Sequence, residues 1–152
     1  LVLASTIDRR NLEEMLAQAP ASVSISEGNT YDVLHACDLA WTASGTATLE
    51  TALMLKPMII VYRFAWLTYF LARLVVQVDH IGMVNIIAGE KIVPELIQGD
   101  MTAERIVRES QAVFQDSELR QRIGNKLAGV REKLGSPGAA GRVADIALSM
   151  MA

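Results

Sequence analysis

The chain has 152 residues, 51% of them hydrophobic and 20% charged, enough to bury a core and too apolar for intrinsic disorder. Seventeen acids against 14 bases leave a formal charge of −3, so no basic excess is available to grip a nucleic-acid backbone. One cysteine, Cys37, excludes a disulfide framework, and with two histidines it argues against a metal centre. The first residues, Leu1-Val2-Leu3-Ala4, read as the inside of a strand rather than a signal peptide, so a piece of a longer protein is expected.

Strand and helix patterns alternate through the first hundred residues. Val2 to Ile7 reads as a strand, and Asp8 as the cap of a helix from Arg9 to Gln18 with Leu12, Met15 and Leu16 on one face. Ser22 to Ser26 alternates as a strand, Glu27-Gly28-Asn29 is a turn, and Thr30 caps a short helix from Tyr31 to Cys37. Leu39 to Ala43 is a strand, Ser44-Gly45 a tight turn, and Thr46 to Leu55 a helix. Pro57 introduces Met58 to Tyr62, a continuous apolar run of the kind buried on both faces. Asp79 to Gly99 reads as irregular, with one short helix around Val93 to Gln98. From Thr102 the pattern is helical: Thr102 to Phe114, then Ser117 to Leu134, with Glu104–Arg108 and Glu118–Arg122 in the favourable i, i+4 order. Gly135-Ser136-Pro137-Gly138 is a linker. The last helix carries one narrow apolar stripe, Val143, Ile146, Ala147 and Met150, that must find a partner.

Strands alternating with helices predict an α/β fold, a doubly wound parallel sheet whose ligands bind beyond the carboxyl ends of the strands. The domain expectation is one Rossmann-like unit over 1–134, followed by a linker and a crossing helix over 135–152.

Five of the eight aromatic residues, Tyr62, Phe64, Trp66, Tyr69 and Phe70, fall within nine positions. Their uncharged run lies between Arg63 and Arg73 and is too short to cross a bilayer, which takes roughly 20 residues. Trp66, Tyr69, Phe70 and Arg73 recur on one helical face. Either this is a core helix, or its rings meet lipid while the arginines stay with headgroups.

The most informative segment is Ala43-Ser44-Gly45-Thr46-Ala47-Thr48-Leu49-Glu50, which joins a strand to a helix start. Small residues let a phosphate approach the backbone, and the first helical N–H groups sit unpaired at the positive end of the dipole. Ser44 and Thr46 add hydroxyls. Glu50, one turn on, can accept both hydroxyls of a ribose. Together they suit a nucleoside diphosphate. No lysine follows the glycine as in a P-loop, and no G-x-G-x-x-G is present. Arg63, at a strand end, suits a phosphate or an ion pair with Asp79 or Glu95. Asn85 suits a sugar or phosphate contact, or loop scaffolding. His35, Cys37, His80, Met150 and Met151 read as packing or surface residues.

The stretch Asp38 to Glu50, then Pro57-Met58-Ile59-Ile60-Val61-Tyr62-Arg63, Leu67 to Arg73, Asn85-Ile86-Ile87-Ala88-Gly89 and Ile92 to Gln98 resembles bacterial lipid-A-disaccharide synthase in order and spacing. The resemblance implies the C-terminal, nucleotide-sugar half of a two-half GT-B glycosyltransferase, with the N-terminal half and its catalytic base absent from this chain, so no catalytic residue is assigned here. It implies inverting transfer from UDP-2,3-diacylglucosamine to 2,3-diacylglucosamine 1-phosphate with release of UDP, without a metal or cofactor. The implied UDP-sugar contacts are Ser44, Gly45, Thr46, Glu50, Arg63 and Asn85, with Gly28 and its neighbours near the base. The implied lipid contacts are Trp66, Tyr69, Phe70 and Arg73. The implied setting is peripheral, at the cytoplasmic face of the inner membrane, with the N-terminal half, the lipid acceptor, the membrane surface and a second copy of the chain as partners. Two positions depart from the family: Leu55 stands where a glycine or small residue is usual, and Val84 where a proline precedes the asparagine. The competing readings are a UDP-sugar 2-epimerase-like domain and a non-enzymatic docking or dimerisation module around residues 64–76.

Overall fold

The computed structural model describes residues 1–4, 7–63 and 80–151. Among them the chain forms β1 (Val2–Leu3), α1 (Arg9–Leu16), β2 (Ser26–Glu27), α2 (Thr30–Ala36), β3 (Ala40–Thr42), α3 (Thr46–Leu53), β4 (Met58–Tyr62), α4 (Met83–Ala88), β5 (Glu95–Ile97), a single 3₁₀ turn (Gln98–Asp100), α5 (Ala103–Gln115), α6 (Ser117–Leu134) and α7 (Ala139–Ser149). All strand pairs are parallel: β1 with β2, and β4 between β3 and β5. The α/β alternation and parallel pairing expected from the sequence are present.

The chain starts its helices with local chemistry. The Arg10 N–H donates to Asp8 Oδ1 at 2.9 Å, and Asp116 Oδ1 accepts from the Leu119 N–H at 2.9 Å. Thr102 caps α5 in the same way. Thr30 does not act as a cap; it is the first residue of α2, which starts without a side-chain cap.

Helix α3 ends in a Schellman motif. The Lys56 N–H donates to Thr51 O (3.2 Å) and the Leu55 N–H to Ala52 O (2.9 Å), with Leu55 at φ +55°. This is the left-handed position where glycine is usual, so the departure at Leu55 costs about 1 kcal/mol of backbone strain relative to glycine. Val84, the other departure, is fully buried within α4.

Two expectations are corrected. Val93 to Gln98 is not a helix: Glu95, Leu96 and Ile97 pair with Ile60, Val61 and Tyr62. The spacing of Val93 and Leu96, three apart, suits a helical face, and the open edge of β4 overrides it by offering backbone partners. The helix of this region is instead α4, inside the stretch read as irregular, stopped by Gly89 in the left-handed conformation (φ +78°). The second expected strand, Ser22 to Ser26, is instead Ser26–Glu27, taking in the first residue read as a turn, because only those residues lie beside Val2 and Leu3.

Met58, Ile59 and Ile60 are wholly buried, as the continuous apolar run predicts for a central strand. The core packs around them: Ala52, Val84, Ile92, Val93, Val113, Ile123, Leu127 and Val130. Helix α6 is fastened over α4 by Lys133, whose Nζ donates to the carbonyls of Ile87 (3.1 Å) and Ala88 (2.9 Å). No helix among the described residues is long and apolar enough to cross a membrane.

Candidate functional site

Strand β3 delivers the chain to Ala43-Ser44-Gly45 at the carboxyl edge of the sheet, and α3 begins at Thr46. Gly45 has φ +134° and ψ −158°, a region essentially closed to residues with a Cβ. Among the described residues nothing lies within 4 Å of the point where a Cβ would project, so they leave the space over the turn open. The Gly45 carbonyl turns inward and accepts from the Thr48 N–H (3.1 Å) and Thr48 Oγ1 (2.7 Å). No side chain caps the helix, and among the described residues the N–H groups of Thr46 and Ala47 have no acceptor. They point outward at the positive end of α3.

Thr46 and Glu50 share one face of α3, opposite the buried Thr48 and Ala52. Thr46 is exposed and Glu50 half-buried, and among the described residues the Glu50 carboxylate has no hydrogen-bond or ion-pair partner. Ser44 is differently disposed from what its sequence position suggests. Its hydroxyl donates to Ile81 O at 3.2 Å, tying the turn to the segment that leads into α4, and only its lone pairs remain for a ligand.

Arg63 follows β4 directly. The β3–β4 register sets Thr42 opposite Ile60, which carries Arg63 to about the level of Gly45. The side chain is exposed and makes no ion pair among the described residues. Glu95, one of its expected partners, is engaged elsewhere. It accepts from the N–H groups of Ile81 (Oε2, 3.0 Å) and Gly82 (Oε1, 3.0 Å) and from Asn85 Nδ2 (Oε1, 2.8 Å), so a carboxylate sits at the start of α4. Asp79, the other expected partner, lies outside the described residues, as do Trp66, Tyr69, Phe70 and Arg73.

Asn85 is 0% exposed and holds the protein rather than facing the crevice. Its Oδ1 accepts from the N–H groups of Ile92 (2.9 Å) and Val93 (3.1 Å), and its Nδ2 donates to Val93 O (3.0 Å) and Glu95 Oε1 (2.8 Å). Two donors and two lone pairs are the full capacity of a primary amide, so nothing is left for a sugar or phosphate. The scaffolding alternative describes this residue. Glu95 and Gly82, which the sequence reading did not place together, are the rest of this brace. A Cβ on Gly82 would collide with Ile60 Cδ1.

A groove of about 440 Å³ opens at the carboxyl edge of β1 and β2, lined by Leu3, Ala4, Ile7, Arg9, Glu27 and Gly28. Arg9 spans it, with Nε on Glu13 (2.7 Å) and Nη1 on Glu27 (2.9 Å). Gly28 (φ +73°) leaves its wall open. Among the described residues no cluster of three His, Cys, Asp or Glu side chains is placed to hold a metal ion.

A family model described as lipid-A-disaccharide synthetase matches residues 1–137, which take in all the described strands and helices α1 to α6. The chain belongs to the lipid-A-disaccharide synthetase family. Curated relatives extend the likeness through α7. The lipid-A-disaccharide synthase of Syntrophus aciditrophicus is 44% identical over 152 residues, 99% of this chain and 40% of the relative. Those of Geobacter sulfurreducens and Nitrosococcus oceani are 43% and 40% identical, each over 99% of this chain and 39% of the relative. The chain therefore spans about 40% of the length of the curated relatives it matches, as their C-terminal part. Within this lipid-A-disaccharide synthetase segment, the open Ser44–Glu50 turn and the Arg9–Gly28 groove stand at carboxyl edges of parallel strands, where α/β sheets take ligands.

Proposed function

We propose that this chain is the UDP-sugar-binding part of a lipid-A-disaccharide synthase, an inverting glycosyltransferase that joins UDP-2,3-diacylglucosamine to 2,3-diacylglucosamine 1-phosphate and releases UDP. The observation that carries this reading is the β3–α3 turn of a family member: open space over Gly45, two outward N–H groups, and an unpaired carboxylate one turn along the same face.

The N–H groups of Thr46 and Ala47 take the pyrophosphate, with the Thr46 hydroxyl and the Ser44 oxygen beside them. Glu50 accepts from the ribose hydroxyls, and the groove at Gly28 takes the base. As the glycosidic bond to the donor sugar breaks, negative charge gathers on the departing diphosphate. Fixed N–H dipoles and the Arg63 guanidinium stabilise that charge more than they stabilise the ground state. Deprotonation of the acceptor hydroxyl belongs to a base in the N-terminal half of the enzyme. Asn85 and Glu95 act as positioning residues: they brace Ile81 and Gly82, and Ile81 in turn holds Ser44. Residues 64–73, by their sequence pattern, dock the enzyme on the cytoplasmic face of the inner membrane, where both lipid substrates reside. The exposed stripe of α7 meets the N-terminal half or a second copy.

Calorimetry with UDP and with inorganic pyrophosphate tests the site. Glu50→Ala removes a hydrogen bond to a charged group, about 1.5–3 kcal/mol or roughly 10- to 150-fold in affinity for UDP. Pyrophosphate, which has no ribose, binds both forms equally. Equal weakening of both ligands would exclude Glu50 as the ribose contact. Disaccharide formation by the 152-residue chain alone would overturn the assignment of the base to the other half.

A further inference from the structure

We infer that Gln98 is a further residue of the donor site, one that hydrogen-bonds a hydroxyl of the sugar carried on the diphosphate; the inference rests on the nucleotide reading of the β3–α3 turn. The parallel register places it. Thr42 lies opposite Ile60, and Ile60 opposite Glu95. Three residues further along each strand, Gly45, Arg63 and Gln98 therefore come to about one level at the carboxyl edge. Adjacent strands are about 4.8 Å apart, so a group lying over Arg63 is one strand spacing from both Gly45 and Gln98. With the pyrophosphate over Gly45, the sugar on its outer phosphate has this row to lie along.

The backbone at Gln98 is costly. Its φ is +54°, and among the described non-glycine residues only Leu55 also has a positive φ. Leu55 ends a helix, where a left-handed residue closes the Schellman motif. Gln98 instead follows a strand and opens a 3₁₀ turn. Glycine stands next to it at 99, in an ordinary conformation. A turn shaped for stability alone would set the glycine at the left-handed position, since only glycine enters it without cost. Here the strained position carries a long amide side chain. The turn is fixed from both sides. Ile97 is paired with Tyr62, the Met101 N–H donates to Gln98 O at 3.2 Å, the Thr102 N–H donates to Asp100 O at 2.9 Å, and Arg105 forms an ion pair with Asp100. Strain of this kind persists only where the surroundings enforce it, and it gathers at ligand sites.

The chemistry favours the sugar over the phosphates. Within the row, the N–H groups beside Gly45 and the Arg63 guanidinium only donate hydrogen bonds. A sugar hydroxyl both donates and accepts, and so does a primary amide. Two donors and two lone pairs give that amide room for a neighbour within the chain and a ligand together. Gln98 is half-buried at the edge, whereas Asn85 is sealed in the interior with all four places filled.

Two substitutions in the 152-residue chain separate the strain from the contact. They are read by urea unfolding and by calorimetry with UDP and with UDP-N-acetylglucosamine, a water-soluble compound that carries a glucosamine on the same diphosphate. Gln98→Gly relieves the strain and removes the amide; Gln98→Ala removes the amide and keeps the strain. The glycine variant should unfold at higher urea than the unaltered chain, and the alanine variant should not. Both should bind UDP-N-acetylglucosamine roughly 2- to 12-fold more weakly, the range of one neutral hydrogen bond, and bind UDP unchanged. An unfolding midpoint for Gln98→Gly at or below that of the unaltered chain would show a residue kept for stability and overturn the inference. So would equal weakening of both ligands, or no weakening of either. An unaltered chain that folds and binds neither ligand would refute the nucleotide reading, and this inference with it. UDP binding with an unchanged response to the sugar would refute Gln98 alone.

Discussion

Replacing Asn85 by alanine separates a brace from a ligand contact. The substitution removes four hydrogen bonds at once and leaves the N–H groups of Ile92 and Val93 and the carbonyl of Val93 without partners in a site closed to water. Glu95 is less affected, because it keeps the N–H groups of Ile81 and Gly82. An orphaned buried polar group costs about 1–3 kcal/mol, and partial relaxation brings three of them to roughly 3–5 kcal/mol together. Against a typical total stability of about 5–15 kcal/mol this is a large fraction. At about 2–4 °C per kcal/mol for a chain of this size, the midpoint of thermal unfolding falls by roughly 6–20 °C. Urea titration followed by circular dichroism, alongside UDP calorimetry on the folded fraction, reads both quantities. Asn85→Asp sharpens the test. It sets a second carboxylate against Glu95 Oε1, where the amide nitrogen now donates from 2.8 Å away, so this variant is destabilised more at pH 7 than near pH 4. An Asn85→Ala protein with unchanged stability and weakened UDP binding would refute the brace and restore the ligand contact.

Three further outcomes follow from the chemistry of individual residues. Burial raises the Cys37 thiol pKa, with Lys56 opposing and Asp38 assisting, so alkylation of the folded chain should set in at higher pH than in the urea-unfolded chain; the associated stability is complete below the ordinary thiol range and is lost as pH rises through the folded value. Equal or earlier onset in the folded chain would contradict it. The double variant Trp66→Ser, Phe70→Ser should lose binding to anionic phospholipid vesicles while keeping its circular dichroism spectrum, whereas unfolding would show those rings to be core. Helix α7, with Val143 65% and Ile146 60% exposed and no residue buried, is too short to be stable by itself, so its amides should gain protection as concentration rises; strong protection independent of concentration would show that it docks on its own chain.

The order of elements was legible in the sequence wherever a local rule governed it. Asp8 starts a helix because its side-chain oxygen meets an orphan N–H group in its own turn, and the same rule, applied by Thr102 and Asp116 in the structure, was missed there. Met58 to Ile60 announces a strand covered on both sides, and the Ser44-Gly45-Thr46 turn announces an open helix start, since only glycine reaches that backbone conformation. The family resemblance was equally legible, because motif order and spacing are properties of the chain itself.

What required tertiary structure were the decisions made between distant residues. Glu95-Leu96-Ile97 has no intrinsic reason to be a strand; it becomes one because β4 presents an unfilled edge. Asn85 has the polarity of a ligand contact and becomes a brace because the backbone groups of Ile92 and Val93 must be paired on burial. Ser44 commits its hydroxyl hydrogen bond to the Ile81 carbonyl, 37 positions away, for the same reason. The division of the strands into two parallel sets is likewise invisible in any local pattern. Sequence determines which groups need partners, and the fold decides which partners they get, because hydrogen bonding and burial are satisfied across space rather than along the chain.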